Sequence, residues 1–297
     1  MKFVICIFGI CLLSVCMLGS CTKELSVERG QISGIASIGS DSTYLDKIYY
    51  SRDTGTGFYT FRTATFYYDN LKRNIRTTII PNTPEEVAYD YLFAYSGTEM
   101  RPSLTTNYQI SLEDHDTIIR YHFYDGSGRL VRDSGYEYHH DLFIPVDARD
   151  SAFRTYTYTG NMIYSEYRTI SLPPVPMETD HQFDTATVDS RGNILNIKMY
   201  RLYNGNPTFQ TEFNYTFDNR LSPYTKLTSL LSRRPMPEGD AFFEDYSFSN
   251  MLSSDEYDTG SYNYTFNNAG FPTIATGLIG SGVGSRIVKV IYTYKTL

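Results

Sequence analysis

The 297-residue sequence carries 26 Lys and Arg against 33 Asp and Glu, a formal charge of −7. That balance excludes the basic surface by which proteins hold nucleic acid, and a chain of this size is compatible with one all-β domain. Twenty-eight Tyr and 18 Phe with no Trp favour strands, because ring side chains suit a pleated, half-buried surface.

In chain order, residues 1–20 join Lys2 to an apolar run from Phe3 to Met17 and then to Gly19-Ser20, the layout of a secretory signal peptide. The run is shorter than the ~20 residues a membrane-crossing helix needs. Leu18-Gly19-Ser20-Cys21 resembles the bacterial lipobox, which implies that Cys21 is acylated and becomes the first residue of the mature chain. All four cysteines (Cys6, Cys11, Cys16 and Cys21) lie in this segment, so the mature chain offers no disulfide, thiol nucleophile or zinc-thiolate site. Several acyl chains on Cys21 give stable anchoring where one is marginal. Thr22-Lys23-Glu24 looks like a short form of the Lys-plus-acidic export signal of Bacteroidota surface lipoproteins and leaves the periplasmic and cell-surface faces both open. Residues 21–42, with Ser33-Gly34 and Gly39-Ser40-Asp41-Ser42, read as the lipidated N-terminus and a flexible tether.

Residues 43–297 read as a single repeat domain. Aromatic runs that end in a polar residue recur at Asp69, Ser96, Asp125, Thr159, Asp189, Asp218 and Asn267, a spacing of roughly thirty residues with one longer gap, and such self-similarity marks a repeat architecture. Asp125 to Gly128, Asp189 to Gly192 and Asn267 to Gly270 share one turn spacing: Asp or Asn bonds backbone amides and Gly supplies a positive φ, so each unit reads as a β-hairpin. Phe209, Thr211, Phe213, Tyr215 and Phe217 alternate with Gln210, Glu212, Asn214, Thr216 and Asp218. Tyr262, Tyr264 and Phe266 alternate with Asn263, Thr265 and Asn267, and Val288, Val290, Tyr292 and Tyr294 form the last strand. The period of two assigns the rings to the interior and the polar residues to water. The fold expected is all-β: an antiparallel β-meander of repeated hairpins, about 14 to 16 strands, curled into an open or closed barrel-like sheet. A membrane-spanning barrel is the alternative, disfavoured by those polar outward faces.

Two stretches interrupt the meander. Thr83, Pro84 and Glu86 form a capping box with room for one helical turn. Residues 222–258 form an insertion, with a short helix from Ser222-Pro223 through Tyr224, Leu227, Leu230 and Leu231 followed by a long loop, a feature that is often functional. Glu113-Asp114-His115-Asp116 and His139-His140-Asp141 hold ligand-type side chains but lack a second motif of metal spacing. These clusters and Asp147, Arg149 and Asp150 read as solvated hairpin ends, so no catalytic, cofactor or metal residue is assigned. Gly277 to Gly284 precedes a strand rather than opening a helix, which makes it a hairpin loop and not a phosphate cradle.

Tyr124-Asp125 with Gly128-Arg129-Leu130 resembles the YD repeats of Rhs-type surface proteins. Phe213 to Asn219, Ser222-Pro223-Tyr224, Tyr262 to Asn268 and Gly270 to Thr273 look like the Bacteroidota lipoproteins of unknown function with a porin-like β-sheet. The resemblance spans roughly residues 44–297 and implies a fold and an outer-membrane lipoprotein address, periplasmic or cell-surface, without catalytic residues. Such bacteria O-glycosylate Asp-Ser/Thr motifs, so the resemblance also marks Ser42, Thr117, Ser151 and Thr185 as candidate acceptors. The function expected is a noncatalytic envelope protein held to the membrane by its N-terminal lipid, binding a glycan or an apolar molecule or scaffolding an envelope protein. The alternatives are a glycan-directed hydrolase with acids under the 222–258 loop, and a purely structural or adhesive surface protein.

Overall fold

The computed structural model describes residues 42–83, 86–111, 114–141, 148–171, 177–227, 248–255, 260–279 and 286–297. The leader, Cys21 and the tether to Asp41, together with Glu113, Asp147, residues 228–247 of the insertion and 280–284 of the glycine-rich loop, lie outside them.

Among the described residues sixteen strands follow one another. The first half comprises β1 (Thr43–Asp53), β2 (Phe58–Tyr68), β3 (Asn74–Pro81), β4 (Ala88–Tyr95), β5 (Pro102–Ile110), β6 (Asp114–Tyr124), β7 (Leu130–Asp141) and β8 (Ala148–Thr159). The second half comprises β9 (Met162–Ser171), β10 (Met177–Val188), β11 (Ile194–Tyr203), β12 (Asn206–Leu221), β13 (Ser249–Ser254), β14 (Gly260–Phe266), β15 (Pro272–Ile279) and β16 (Arg286–Thr296). Each strand pairs with its sequence neighbours and β1 pairs with β16, so the meander closes into a barrel. Closure removes the exposed sheet edges on which other chains could pair.

One rim, where the even-numbered strands end, is built by a repeated device. At Asp69, Asp125, Asp189 and Asn267 the residue three further on donates its N–H to the opening residue's carbonyl, and the opening N–H bonds to the carbonyl four residues on. The side-chain Oδ1 accepts the N–H of residues i+2 and i+4: Leu71 and Arg73, Ser127 and Arg129, Arg191 and Asn193, Ala269 and Phe271. In the three aspartate turns Oδ2 also takes a side-chain donor, from Arg73, Arg129 and Asn193 respectively. The position that needs a left-handed backbone is Gly128, Gly192 or Gly270, but in the first turn it is Lys72, at φ 61°. Asp218 keeps the habit across the insertion by accepting from Arg220 and, 32 residues on, from the backbone and side chain of Asn250.

Tyrosines near the ends of six of these strands have their own task. Tyr68, Tyr95, Tyr124, Tyr158, Tyr264 and Tyr294 close six of the even-numbered strands, and each donates its hydroxyl to a backbone carbonyl of the preceding strand: Leu45, Asn74, Pro102, Leu130, Met251 and Pro272, at 2.6–2.9 Å. The recurring aromatic-polar phrase is therefore a strand terminus: a ring turned inward, its hydroxyl tied to the neighbouring backbone, followed after Tyr68, Tyr124 and Tyr264 by an Asx turn.

Inside this rim two apolar clusters pack. One joins Leu45, Ile48, Tyr50, Ala64, Phe66, Ala275, Val290 and Tyr292 with Tyr224 and Leu227 of the insertion; the other joins Leu130, Tyr156, Ile163, Ala186, Ile194, Ile197, Tyr215 and Met251. Each large side chain so buried stabilises the fold by roughly 1.5–3 kcal/mol. A sixteen-strand ring encloses more space than wall side chains fill, and the described start of the insertion packs into it: Tyr224 meets Tyr292 edge-on at 6.4 Å.

Three expectations need correction. Residues 222–227 form hydrogen-bonded turns (Thr225 N–H to the Ser222 carbonyl, Leu227 N–H to the Tyr224 carbonyl) and not a helix, with the Ser222 N–H taken by the Phe248 carbonyl; Leu230 and Leu231 lie outside the described residues. Phe209 is not interior: Thr211 pairs with Met199 but Phe209 with Tyr200, so a bulge at Gln210 turns Phe209 outward, 53% exposed against the Tyr200 ring. On β6 the rings do not all face in: Tyr121 and Phe123 are 46% and 40% exposed, whereas Arg120 between the strands is buried.

Relieving the left-handed backbone at Lys72 tests the turn. Lys72→Gly is expected to raise stability by about 1 kcal/mol, read as a higher denaturant midpoint; an unchanged or lower midpoint would show that the position carries no strain. Burial pushes the Tyr158 phenol up to about 12, with the Arg129 guanidinium opposing and Asp125 adding. The folded state thus holds a proton that an unfolded tyrosine loses near pH 10, so this contribution is complete below pH 10 and disappears between pH 10 and 12. Tyr158→Phe is expected to cost about 1 kcal/mol at neutral pH and to remove one late-titrating phenol from an absorbance titration.

Candidate functional site

Strand register assigns each side chain to one face of the wall. On β14 to β4 the inner face is apolar and aromatic: Tyr262, Tyr264, Ala275, Val290, Tyr292, Ile48, Tyr50, Ala64 and Phe66, ending in Tyr89, Tyr91 and Phe93, whose rings stack in sequence at 6.2 and 6.4 Å. On β5 to β11 the layer behind the rim cluster is charged. Arg154 and Asp184, each side chain 1% exposed, pair at 3.1 Å. The Asp184 carboxylate also accepts from Ser165 at 3.1 Å and Gln182 at 2.8 Å, and the Arg154 guanidinium lies 4.6 Å over the Tyr167 ring. Beside them Tyr156 donates to Asp133 at 3.0 Å, Arg120 pairs with Glu137, and His122 bonds Thr105 at 2.8 Å. Toward the far rim Arg201 meets Asp180 at 3.3 Å.

This layer is held by mutual neutralisation. Burial pushes the Asp184 carboxyl up, while Arg154, Gln182 and Ser165 oppose that rise. Its unit of function is therefore the pair: a guanidinium cannot discharge at any ordinary pH, whereas a carboxylate stripped of its cation can take up a proton.

The outer face differs. Phe123 faces Arg132, Tyr138 faces Arg149, Phe153 faces Arg168 and Tyr67 faces Arg76 in cross-strand register, and the guanidinium carbons lie 4.0, 5.3, 5.8 and 5.6 Å from those ring centroids. Arg149 is closer still to Tyr136, at 3.8 Å. Between them run outward ion pairs: Arg76 with Asp90 at 2.8 Å, Lys198 with Glu212 at 3.5 Å, and Glu166 with Arg168 and His181.

The candidate acceptors Thr117, Ser151 and Thr185 stand on this outer face, within β6, β8 and β10, and Ser42 immediately precedes β1, its carbonyl bonded to the Leu297 N–H. The acids that precede them, Asp116, Asp150 and Asp184, point inward. Asp116 and Asp150 converge on His139, at 3.0 and 3.7 Å, a grouping the two separate sequence clusters did not reveal; among the described residues no three His, Cys, Asp or Glu side chains form a set suited to a metal ion. The buried Arg154–Asp184 pair was missed altogether, although Arg154 and Tyr156, and Gln182 and Asp184, stand two apart on strands that pair with the same neighbour, β9.

No family model matches the chain, and no curated protein matches it. Among solved structures it is similar to a porin-like protein from Bacteroides vulgatus, with a TM-score of 0.49 and 12% identity over 86% of this chain and 100% of that one. It is also similar to a porin-like protein from Bacteroides uniformis, with a TM-score of 0.38 and 12% identity over 86% and 99%.

The buried pair yields an asymmetric prediction. Asp184→Asn strands a permanent cation and is expected to cost about 3–5 kcal/mol. Arg154→Met is expected to cost less, because Asp184 takes up a proton and keeps Ser165 and Gln182. With its folded pKa raised further above the unfolded value near 3.9, Asp184 in that variant makes the protein more stable at pH 5 than at pH 8. Equal losses, or no pH dependence, in paired denaturation curves would contradict this.

Proposed function

We propose that the chain is a noncatalytic, lipid-anchored envelope protein whose barrel stands in water and acts as a binding or scaffold module. The observation that carries this reading is the outer wall. A lipid-facing barrel needs a continuous apolar band, and each Arg or Lys at the midplane of such a band costs about 2–4 kcal/mol. Here arginines sit over outward rings, ion pairs join neighbouring strands at Arg76–Asp90 and Lys198–Glu212, and another runs along β9 at Glu166–Arg168. In this reading an attachment through Cys21 supplies the membrane contact.

The inner acids support the absence of catalysis. Paired carboxylates for glycoside cleavage face a substrate across a cleft, whereas Asp133, Glu137, Asp180 and Asp184 each hold a hydroxyl or a guanidinium of the wall itself. The aromatic inner wall facing a charged one suits a ligand with both characters, or a partner segment, better than a hydrated ion path.

Fractionation of cells expressing the full-length protein tests the anchor. The wild type is expected in the membrane fraction with labelled palmitate incorporated, and Cys21→Ala to be released as a detergent-free soluble protein that produces no conductance in planar bilayers. A Cys21→Ala protein that still requires detergent and conducts ions would replace this reading with a membrane-spanning pore.

A further inference from the structure

We propose that the groove between the 96–101 and 125–128 turns is a saccharide-binding site for a neutral, polyhydroxylated glycan end. It deepens the binding role proposed above and rests on it. The groove measures about 750 Å³, within the range of small-molecule sites. Its lining includes Ser96, Glu99, Arg101, His122, Phe123 and Tyr124, with the glycine-containing 126–128 tip on one side.

Both walls are tied by hydrogen bonds within the chain. Asp125 fixes one wall through Ser127 and Arg129. The other wall has Ser96 where the turns on either side have Asp69 and Asp125, and it is held from outside: the Arg73 guanidinium donates to the carbonyls of Gly97 and Glu99 at 2.7 and 3.0 Å, and the Glu99 N–H bonds to the Ser96 carbonyl. Arg101 lies along the junction, its guanidinium 5.9 Å over the Tyr124 ring. It fits there because position 128 is glycine: a Cβ at Gly128 would stand 2.2 Å from Arg101 Nη2, in addition to requiring φ +84° of a side-chain-bearing residue. Preorganised walls reduce the ordering cost that binding must offset.

The chemistry of the lining selects the ligand. Phe123, 40% exposed, offers ring surface for the C–H face of a sugar, while the inward Tyr124 ring supports Arg101. Arg101 and Glu99 are planar, bidentate groups of opposite sign that match the donors and acceptors of vicinal hydroxyls, and Ser96 adds a group of either role. Asp125, the second acid of the lining, is paired with Arg129 at 2.8 Å, so Glu99 and Arg101 balance and neither charge sign of ligand is favoured, and the polar lining does not suit an apolar molecule.

Full-length protein purified in detergent is titrated by calorimetry with neutral trisaccharides of gluco, galacto and manno configuration, and with trigalacturonate as the charged comparison. At least one neutral sugar is expected to bind with little dependence on salt. Arg101→Met, which keeps the stem against Tyr124, and Glu99→Gln, on an exposed turn, are each expected to weaken it about tenfold, the loss of one or two hydrogen bonds to charged groups. Phe209→Ala, which removes an exposed ring near the other rim, is expected to leave affinity unchanged. Thermal melts confirm folding, and if Arg101→Met fails to fold, Glu99→Gln decides. Binding of no neutral sugar, binding of trigalacturonate alone, or affinity that survives both substitutions overturns the proposal. Fractionation of Cys21→Ala reports on the anchor whichever way the titration falls.

Discussion

The pairing of β1 with β16 is the constraint from which the other features follow. Register runs from Thr43 opposite Thr296 to Arg52 opposite Val288, joining the two ends of the described chain. Once the ring is shut, every strand has two neighbours and every residue one of two environments, and a shift of one residue would exchange the faces along a whole strand. The interior then has to accept whatever the inward set carries. Because sixteen strands enclose a wide space, that set does not have to be uniformly apolar, and it divides into an aromatic side and a charged side.

The Asx-turn rim is where the ring is stitched. A tyrosine hydroxyl on a neighbouring carbonyl and an Asx side chain on its own turn amides are individually worth about 1 kcal/mol. Repeated around the rim, they satisfy backbone groups at the points where the ladders end and where unpaired polar groups would otherwise lie against the apolar clusters. Asp125 shows how firmly: burial works against its charge, yet the Arg129 amide, the Ser127 hydroxyl and the Arg129 guanidinium hold its carboxyl down to about 2. Its contribution is present above about pH 4 and is lost only as pH falls toward 2.

Much of this is legible in the amino acids, for reasons that also set the limits. The turn spacing at Asp125, Asp189 and Asn267 has one backbone solution, so those hairpins read directly. Asp69 makes the same turn, but Lys72 hides it, since a lysine gives no sign of a positive φ. Alternation separates two faces but does not say which is inside, and the rule that rings go inward holds only while the interior is too narrow for anything else. On β6 the interior tolerates Arg120 and His122 because β7 and β5 supply Glu137 and Thr105, while Phe123 and Tyr121 turn outward and Arg132 covers the Phe123 ring. Such cross-strand compensation is invisible in one strand's sequence. A bulge is equally silent: Gln210 carries no mark that it moves Phe209 to the other face.

Repetition also explains where a particular site can arise. Turns that close on their own Asx residue present the same small, self-satisfied surface each time and leave little to bind. The β4–β5 connection opens with Ser96, so its closing donor comes from Arg73 of the adjacent turn, and the segment between runs longer than its neighbours' five-residue turns. That displacement carries Glu99 and Arg101 away from their own hairpin and across to the next one, where Gly128 leaves room for the guanidinium. The phrase from Tyr124 to Leu130 is thus architectural in every bond it makes to itself, and available for recognition only because the preceding turn departs from the pattern.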